Sequence, residues 1–398
     1  MRVLTIVDGM GPPLARGTRV IYEHLVELAK RGIQHHVLTL VDFRMDPDWQ
    51  AWAAQEQRRS GITFHAVQVP ALLRFHALHM VTSRIQYLRE AIRLHRTHGF
   101  DVIHAYSSSQ VMLMHSALIS HRTGVPIIHT LCVYNNRWWN PTGWQHGIRR
   151  IAKVICSTQR LAGELIAQGF PRDKVLCMPL GVNCQTFHPD ATSRVETRQV
   201  FGWPLDRPVL LYLGPLVRSK GAGVLASALP SVFEKTSAVC MFACQPGPRW
   251  RDVTVAAQVR ALCDRYPDRC RIQEGFHPVE RLLQASDVVV LPLLTAHGTL
   301  LPPQTLLEAM ASATVVVASA VYGIDDWIHD GSTGILVPPG DSQALARRLT
   351  EILLDITAAA RLGVQARQFV QTWDLVDVTS RLHQLYSELS NHAVPVAV

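Results

Sequence analysis

A chain of 398 residues, 48% of them hydrophobic, is long enough to bury two cores of ordinary domain size. With a mean hydropathy of +0.10 and no apolar run near bilayer length, the sequence argues against a membrane-crossing protein. The net charge of +8 is unevenly placed: residues 1–190 hold 21 Lys+Arg against 12 Asp+Glu, and the remainder 18 against 19.

Short apolar runs alternate with helical periodicity from the first residue on. Arg2–Val7 reads as a buried strand ending at Asp8-Gly9; as it is too short for a signal peptide, the cytosol is expected. There follow a helix Thr18–Arg31, strands Gln34–Leu40 and Ile62–Val69, a helix Ser83–Thr97 and a strand Val102–Ala105. Next come a helix near Gln110–Thr123, a strand Pro126–Leu131, a helix around Trp144–Ile151, a strand Lys153–Ser157, a helix Gln159–Gln168 and a strand Val175–Pro179. After a break over Gly181–Pro189, a second series of strands starts at Pro208–Gly214. It continues through Ala238–Ala243, Arg271–Gly275, Val288–Pro292, Thr314–Ala318 and Gly334–Val337, with a helix at Gln343–Leu354. Such alternation is the signature of parallel, doubly wound α/β sheets, here in two Rossmann-like halves whose ligands bind at the carboxyl ends of the strands.

The eight cysteines form no CxxC pair and lie mostly in apolar surroundings, so reduced core thiols are expected. Cys240 and Cys244 flank a strand, a poor arrangement for zinc. Arg84, Arg89, Arg93 and Arg96 share one helix, with His95 and His98 nearby. That is either a solvated face or a surface for anionic lipid headgroups or an acidic acceptor. No nucleic-acid motif accompanies it, so nucleic acid is not an expected partner. Asp46-Pro47-Asp48 imitates a metal-binding DxD but lies in a polar loop away from the expected cleft.

Several segments in order resemble one family: Gly17-Thr18-Arg19 to Gly32, Phe100–Ala105, Met178-Pro179-Leu180-Gly181-Val182-Asn183 to Pro189, Gly214-Pro215-Leu216 to Lys220-Gly221, and Leu307-Glu308-Ala309-Met310-Ala311. Trp373 followed by Leu382–Leu389 resembles a terminal helix returning to the first domain. Over nearly its whole length the chain resembles a family 4 glycosyltransferase of the GT-B fold. The resemblance implies two Rossmann-like domains whose parallel sheets face a central cleft. The expected limits are 1–188 for an acceptor-side domain, 189–372 for a nucleotide-sugar domain and 373–390 for the returning helix. It further implies a retaining, metal-independent enzyme that needs no cofactor and takes a nucleotide-sugar as substrate.

On that resemblance, Glu308 is the carboxylate that accepts the ribose hydroxyls, one turn inside a helix whose exposed N–H groups suit a pyrophosphate. The same glutamate would also suit an ordinary helix start by complementing the macrodipole. Lys220 resembles the lysine that binds the donor diphosphate, a compact charge with three donors, and Arg218 is placed to assist it. Gln304 and Thr305 keep their backbone N–H groups after Pro302 and Pro303, which have none. Gly275 and Phe276 resemble the segment beside the base. Gly17 resembles the glycine of the phosphate and acceptor loop, where a bare backbone permits close approach. His129, Cys132 and Leu300 are expected at the cleft, and His104 at its edge or in the core.

Three positions depart from the family pattern. Gly214 is followed by Pro215 instead of arginine, Leu300 stands eight residues before Glu308 where a second glutamate is usual, and Cys132 replaces a histidine. The nucleotide half of the site is therefore legible while the sugar half is rewritten. The leading expectation is transfer of a sugar to an unidentified saccharide, lipid-linked or small-molecule acceptor, with possible attachment to the inner membrane face. The alternatives are a non-catalytic GT-B partner or regulator and a nucleotide-sugar epimerase.

Overall fold

The computed structural model describes residues 1–12, 16–41, 48–68, 76–107, 111–132, 150–244, 252–275 and 278–391. Most of the helix expected around Trp144–Ile151, the first two residues of Asp46-Pro47-Asp48, and Phe276 lie outside these residues. The described chain divides into two compact units. One comprises Met1–Gly181, His297–Leu301 and the segment from Leu375 on; the other comprises Val182–Ala296 and Pro302–Asp374.

In the first unit the order is β1 (Arg2–Val7), α1 (Arg16–Lys30), β2 (Gln34–Val41), α2 (Trp49–Ser60), β3 (Thr63–Gln68), α3 (His76–His98), β4 (Val102–Ser107) and α4 (Val111–Thr123). Then come β5 (Ile127–Leu131), β6 (Lys153–Cys156), α5 (Gln159–Ala167) and β7 (Val175–Cys177). All seven strands run parallel in the order β3-β2-β1-β4-β5-β6-β7. The central strands β4 and β5 are buried at every residue, as a sheet covered on both faces requires. Leu4, Ile6, Leu38, Ile103, Leu113, Ile127 and Val154 form the core on one face.

The second unit runs α6 (Ala191–Val200), β8 (Val209–Leu213), α7 (Ala222–Lys235), β9 (Val239–Cys244), α8 (Val253–Arg265), β10 (Cys270–Glu274) and α9 (Val279–Ala285). It continues with β11 (Val288–Leu291), α10 (Gln304–Ala311), β12 (Val315–Ser319), β13 (Ile335–Val337), α11 (Ser342–Leu354) and α12 (Ile356–Gln371). Its six parallel strands lie in the order β10-β9-β8-β11-β12-β13. Helix α6 was not expected from its sequence, which is polar. Asp190 caps it by accepting from the Ser193 N–H at 2.9 Å. Arg198, 1% exposed, anchors it by donating to Asp287 Oδ2 at 2.7 Å and to the Ala285 carbonyl at 2.9 Å.

The chain divides at Gly181, seven residues before the expected limit of 188. The cause is pairing in the second unit: Val182 N–H donates to the Trp373 carbonyl at 3.1 Å, and Cys184 N–H to Asp374 Oδ2 at 3.0 Å. A second correction concerns residues 297–301, expected with the second domain and grouped with the first unit. There the Leu301 N–H donates to the Cys132 carbonyl at 3.1 Å.

The last helix, α13 (Leu375–Asn391), packs on α1 and β4 of the first unit. Its fully buried Tyr386 places its hydroxyl 2.6 Å from His104 Nδ1, a contact across 282 positions of sequence. Arg31 fastens the helix start by donating to the Val376 carbonyl at 3.2 Å.

Candidate active site

The second sheet reverses its strand order between β8 and β11. At such a switch point the loops leave in opposite directions and open a crevice at the carboxyl ends of the strands. The loop after β8 is built stiffly. Gly214 N–H donates to the Ala243 carbonyl at 3.1 Å, the Tyr212 hydroxyl to the Pro215 carbonyl at 2.7 Å, and a 3₁₀ turn covers Arg218–Lys220. Leu294 N–H, just beyond β11, donates to the Ser219 carbonyl at 3.0 Å.

Gly221 is what makes this approach possible. Its φ is +75°, and a Cβ there would lie 1.7 Å from the carbonyl oxygen of Pro292. Only a residue without a side chain fits, so the loops after β8 and β11 are clasped at the switch point. Lys220 is thereby held half-buried beside the crevice, and burial lowers its ammonium below the ordinary lysine value. A bound diphosphate would reverse that shift by pairing with the charge. Arg218 on the same turn is exposed.

After β11 the chain reaches α10. Pro303 precedes the helix at φ −54° and ψ 132°, and its carbonyl accepts from the Leu306 N–H at 2.9 Å. All eight helix residues are buried. Glu308 is 7% exposed, and Gln304 and Thr305 begin the first turn at 7% and 8%. A carboxylate that deep in an eight-residue helix is more than a surface macrodipole partner. Gly275 follows β10 with φ +141°, and its N–H donates to the Cys244 carbonyl at 3.1 Å. Lys220, α10 and Gly275 therefore all follow strand carboxyl ends of one sheet.

The first unit treats its expected site residues differently. Gly17 is the second residue of α1, inside the helix rather than in the loop before it. His129, expected at the cleft, is fully buried, with Ser116 Oγ 2.8 Å from Nδ1 and Ser107 Oγ 2.8 Å from Nε2. Burial, then His115, lowers its pKa to about 3. Both ring nitrogens are engaged, so it offers nothing to a ligand. His104 is likewise a core residue, between the Tyr386 hydroxyl and Thr130 Oγ1 at 2.7 Å and stacked on Tyr106.

Cys132 is 5% exposed, and burial pushes its thiol up to about 12, which keeps it neutral. Its backbone N–H donates to the Ser107 carbonyl at 3.1 Å. Leu300 packs with Val7, Met10, Tyr106, Cys132 and Leu180 in an apolar cluster of the first unit. Two of the three departures, Cys132 and Leu300, thus share one apolar cluster.

One polar feature of this unit escaped the sequence. Asp8, exposed just past β1, accepts from the Tyr87 hydroxyl at 2.5 Å and lies 3.6 Å from Arg84 Nη1. The order of the first sheet reverses between β1 and β4. Asp8 therefore follows the switch-point strand, the one signal that could have found it.

Comparison with known families accounts for both halves. Residues 17–181 match the family described as "Glycosyl transferase 4-like domain", and residues 207–355 match "Glycosyl transferases group 1". The chain is a GT-B glycosyltransferase of the family 4 type. Among its relatives, the D-inositol 3-phosphate glycosyltransferase of Xylanimonas cellulosilytica is 28% identical, over 74% of this chain and 73% of the relative. The alpha-D-kanosaminyltransferase of Streptomyces kanamyceticus is 25% identical, over 85% and 91%. In fold, this glycosyltransferase is similar to one from Rickettsia africae, with a TM-score of 0.79 and 18% identity over 98% and 99% of the two chains. The Anabaena protein Alr3699/HepE, solved with UDP and glucose, gives a TM-score of 0.73 and 17% identity over 98% and 100%.

Proposed function

We propose that this glycosyltransferase takes its sugar from a nucleoside diphosphate, with Lys220 and the α10 glutamate Glu308 as the principal donor contacts. The observation that carries the reading is the clasp of Gly221 against Pro292, which fixes Lys220 at the switch point of the sheet that also bears α10. The Anabaena neighbour, solved with UDP and with UDP-glucose, supports a nucleotide-sugar donor.

In the reaction the bond between the anomeric carbon and the diphosphate oxygen breaks, and the acceptor oxygen bonds to that carbon on the same face. The acceptor proton passes to a donor phosphate oxygen. Lys220, with Arg218 and the first turn of α10 at Gln304-Thr305, offsets charge growing on the departing diphosphate. Glu308 accepts the ribose hydroxyls, and Gly275 leaves room for the base. Nothing in this scheme requires a metal ion or cofactor.

The decisive measurement is a panel of UDP-, GDP- and dTDP-sugars, scored for binding, hydrolysis and transfer, with inositol 3-phosphate among the acceptors. A donor that binds and is transferred supports the reading. Nucleotide binding without hydrolysis or transfer across the whole panel would establish the non-catalytic alternative, and release of an altered sugar nucleotide without acceptor would establish an epimerase.

A membrane-facing acceptor is the second reading, favoured by the exposed Arg89, Arg93 and Arg96 along α3. Arg93 is paired with Glu90. No helix among the described residues is long and apolar enough to cross a membrane, so attachment would be peripheral. Co-sedimentation with vesicles of anionic lipid at low salt, lost at high salt, is the expected result. Vesicles that sediment without the protein even at low salt would remove this reading.

A further inference from the structure

The first unit holds a cluster that glycosyl transfer does not use. His36 on β2, His65 on β3 and His98, the last residue of α3, converge so that a ring nitrogen from each lies within 4.8 Å of the other two. His36 Nδ1 and His65 Nε2 are 3.0 Å apart, with the rings stacked at 5.3 Å and 7°. The His36 and His98 rings are centred 4.4 Å apart.

Backbone geometry puts them there. In the β2–β3 register, His36 faces Thr63 and Leu38 faces His65, so the two histidines are diagonal neighbours on one face of the sheet. Helix α3 ends at Gly99 with φ +66°, whose N–H donates to the His95 carbonyl at 2.8 Å. Arg2 secures the third member by donating from Nη1 to the His98 carbonyl at 2.7 Å. Phe100 closes one side, edge-on to His36 at 5.2 Å. All three rings are partly buried rather than waving in solvent.

We infer that His36, His65 and His98 form a binding site for a divalent transition-metal cation of the zinc type. Imidazole nitrogens at about 2.0–2.1 Å from a tetrahedral ion sit roughly 3.4 Å apart. The 3.0 Å between His36 and His65 is already close to that, and a side-chain shift of His98 completes the set. Without metal, the N–H of one ring donates to the lone pair of the other; on binding, that proton moves to the other nitrogen of its own ring, and both facing nitrogens bond to the cation. Burial and the crowding of like groups disfavour the charged imidazole at His36 and His65, consistent with available lone pairs. The other charged groups nearby are Arg2, already bonded to His98 and Gln34, and Glu90, paired with Arg93. Three protein ligands leave the fourth position to water.

His36 and His65 are each the third residue of their strand, near the amino ends of the sheet. Donor and acceptor chemistry belongs at the opposite, carboxyl edge. The ion is therefore a brace that ties edge strand β3 to the end of α3.

The test uses the full chain without any histidine tag, stripped with chelator, desalted and titrated with Zn²⁺ by calorimetry and with Co²⁺ by visible absorption. The expected result is one equivalent bound with the intense d–d bands of tetrahedral cobalt. Each of His65→Ala and His98→Ala should weaken binding by more than about 100-fold, beyond the effect of losing an outer-shell partner. His121→Ala, an exposed histidine on α4, should leave binding unchanged. Zinc at a hundredfold excess over Kd should raise the melting midpoint of the wild type by about 5–10 °C and leave the variants where they were. Circular dichroism of the metal-free variants reports their folding, and His98→Asn, at the helix end, serves if His65→Ala does not fold. Wild-type protein that takes up no equivalent of either ion, or tight binding that survives His65→Ala or His98→Asn, overturns the site.

Discussion

The two sheets share one topology and have treated their carboxyl edges in opposite ways. In the second unit the edge carries charge under tension: a half-buried lysine beside a glycine that no other residue can replace, and a glutamate sunk into a short helix. In the first unit the corresponding residues are spent internally. His129 is bonded at both nitrogens, the Cys132 thiol is held neutral, and Leu300 lies in an apolar cluster with it. The same fold thus supports one edge with a half-buried lysine and a buried glutamate and another whose expected cleft residues are buried or paired. Asp8, held by Tyr87 and Arg84, is a polar group that the first edge retains among the described residues.

That contrast can be broken at its strongest point first. Lys220→Ala should lower the transfer rate by about 10²–10³-fold, the loss typical of removing one electrostatic donor from a developing anion. A rate that falls less than tenfold would mean that the second edge does not carry the chemistry. Glu308→Gln should raise KM for the donor by about 10–100-fold, as for losing hydrogen bonds to a charged acceptor, with nucleoside diphosphate affinity falling in parallel. If affinity is unchanged, Glu308 is a buried helix residue and nothing more.

Acid should reveal the contrast through stability. His24 is held near 4 and His35 near 3 by burial, and His129 near 3, against an ordinary 6.5. These are bases whose folded-state pKa is depressed, so below about 6.5 the unfolded chain binds more protons than the folded one. Stability conferred by these groups is present above pH 6.5 and is lost as pH falls from there toward 3. Hydrogen exchange followed over that range should show the first unit opening before the second; the reverse order would contradict it. The smallest effect concerns the thiol. Iodoacetamide should leave transfer within about twofold of the untreated rate, because a buried neutral thiol is a poor nucleophile. Rapid inactivation that tracks alkylation of Cys132 would show the first edge to be more open than its burial indicates.

How much of this could be read in the chain depends on the distance over which each feature is determined. Runs such as Val288–Leu291 and Val315–Ser319 announce buried parallel strands by composition alone. Capped, amphipathic helices such as Ser342–Leu354 are nearly as plain. Helix α3 starts at His76, seven residues before its expected start, and the polar helices α2 and α6 were not anticipated because tertiary anchors such as Arg198–Asp287 hold them. The expected donor residues could be named from sequence because glycine, lysine and glutamate there keep a local order that a motif can express. His36, His65 and His98 belong to three separate elements, and no local pattern announces their meeting.

The contact between His104 and Tyr386 has a consequence for the order in which this protein is made. The first unit lacks the cover that α13 gives α1 and β4 until the last helix is made, so part of the half that leaves the ribosome first waits for the part that leaves last. At about 5–20 residues per second, the 282 positions between the two rings correspond to a delay of roughly 15–60 s. During that interval the faces of α1 and β4 that α13 covers stand open to water and to chaperones. The second unit, whose described residues end at Asp374, can finish beforehand. Synthesis therefore supplies every residue of the second unit before the last helix of the unit that begins the chain.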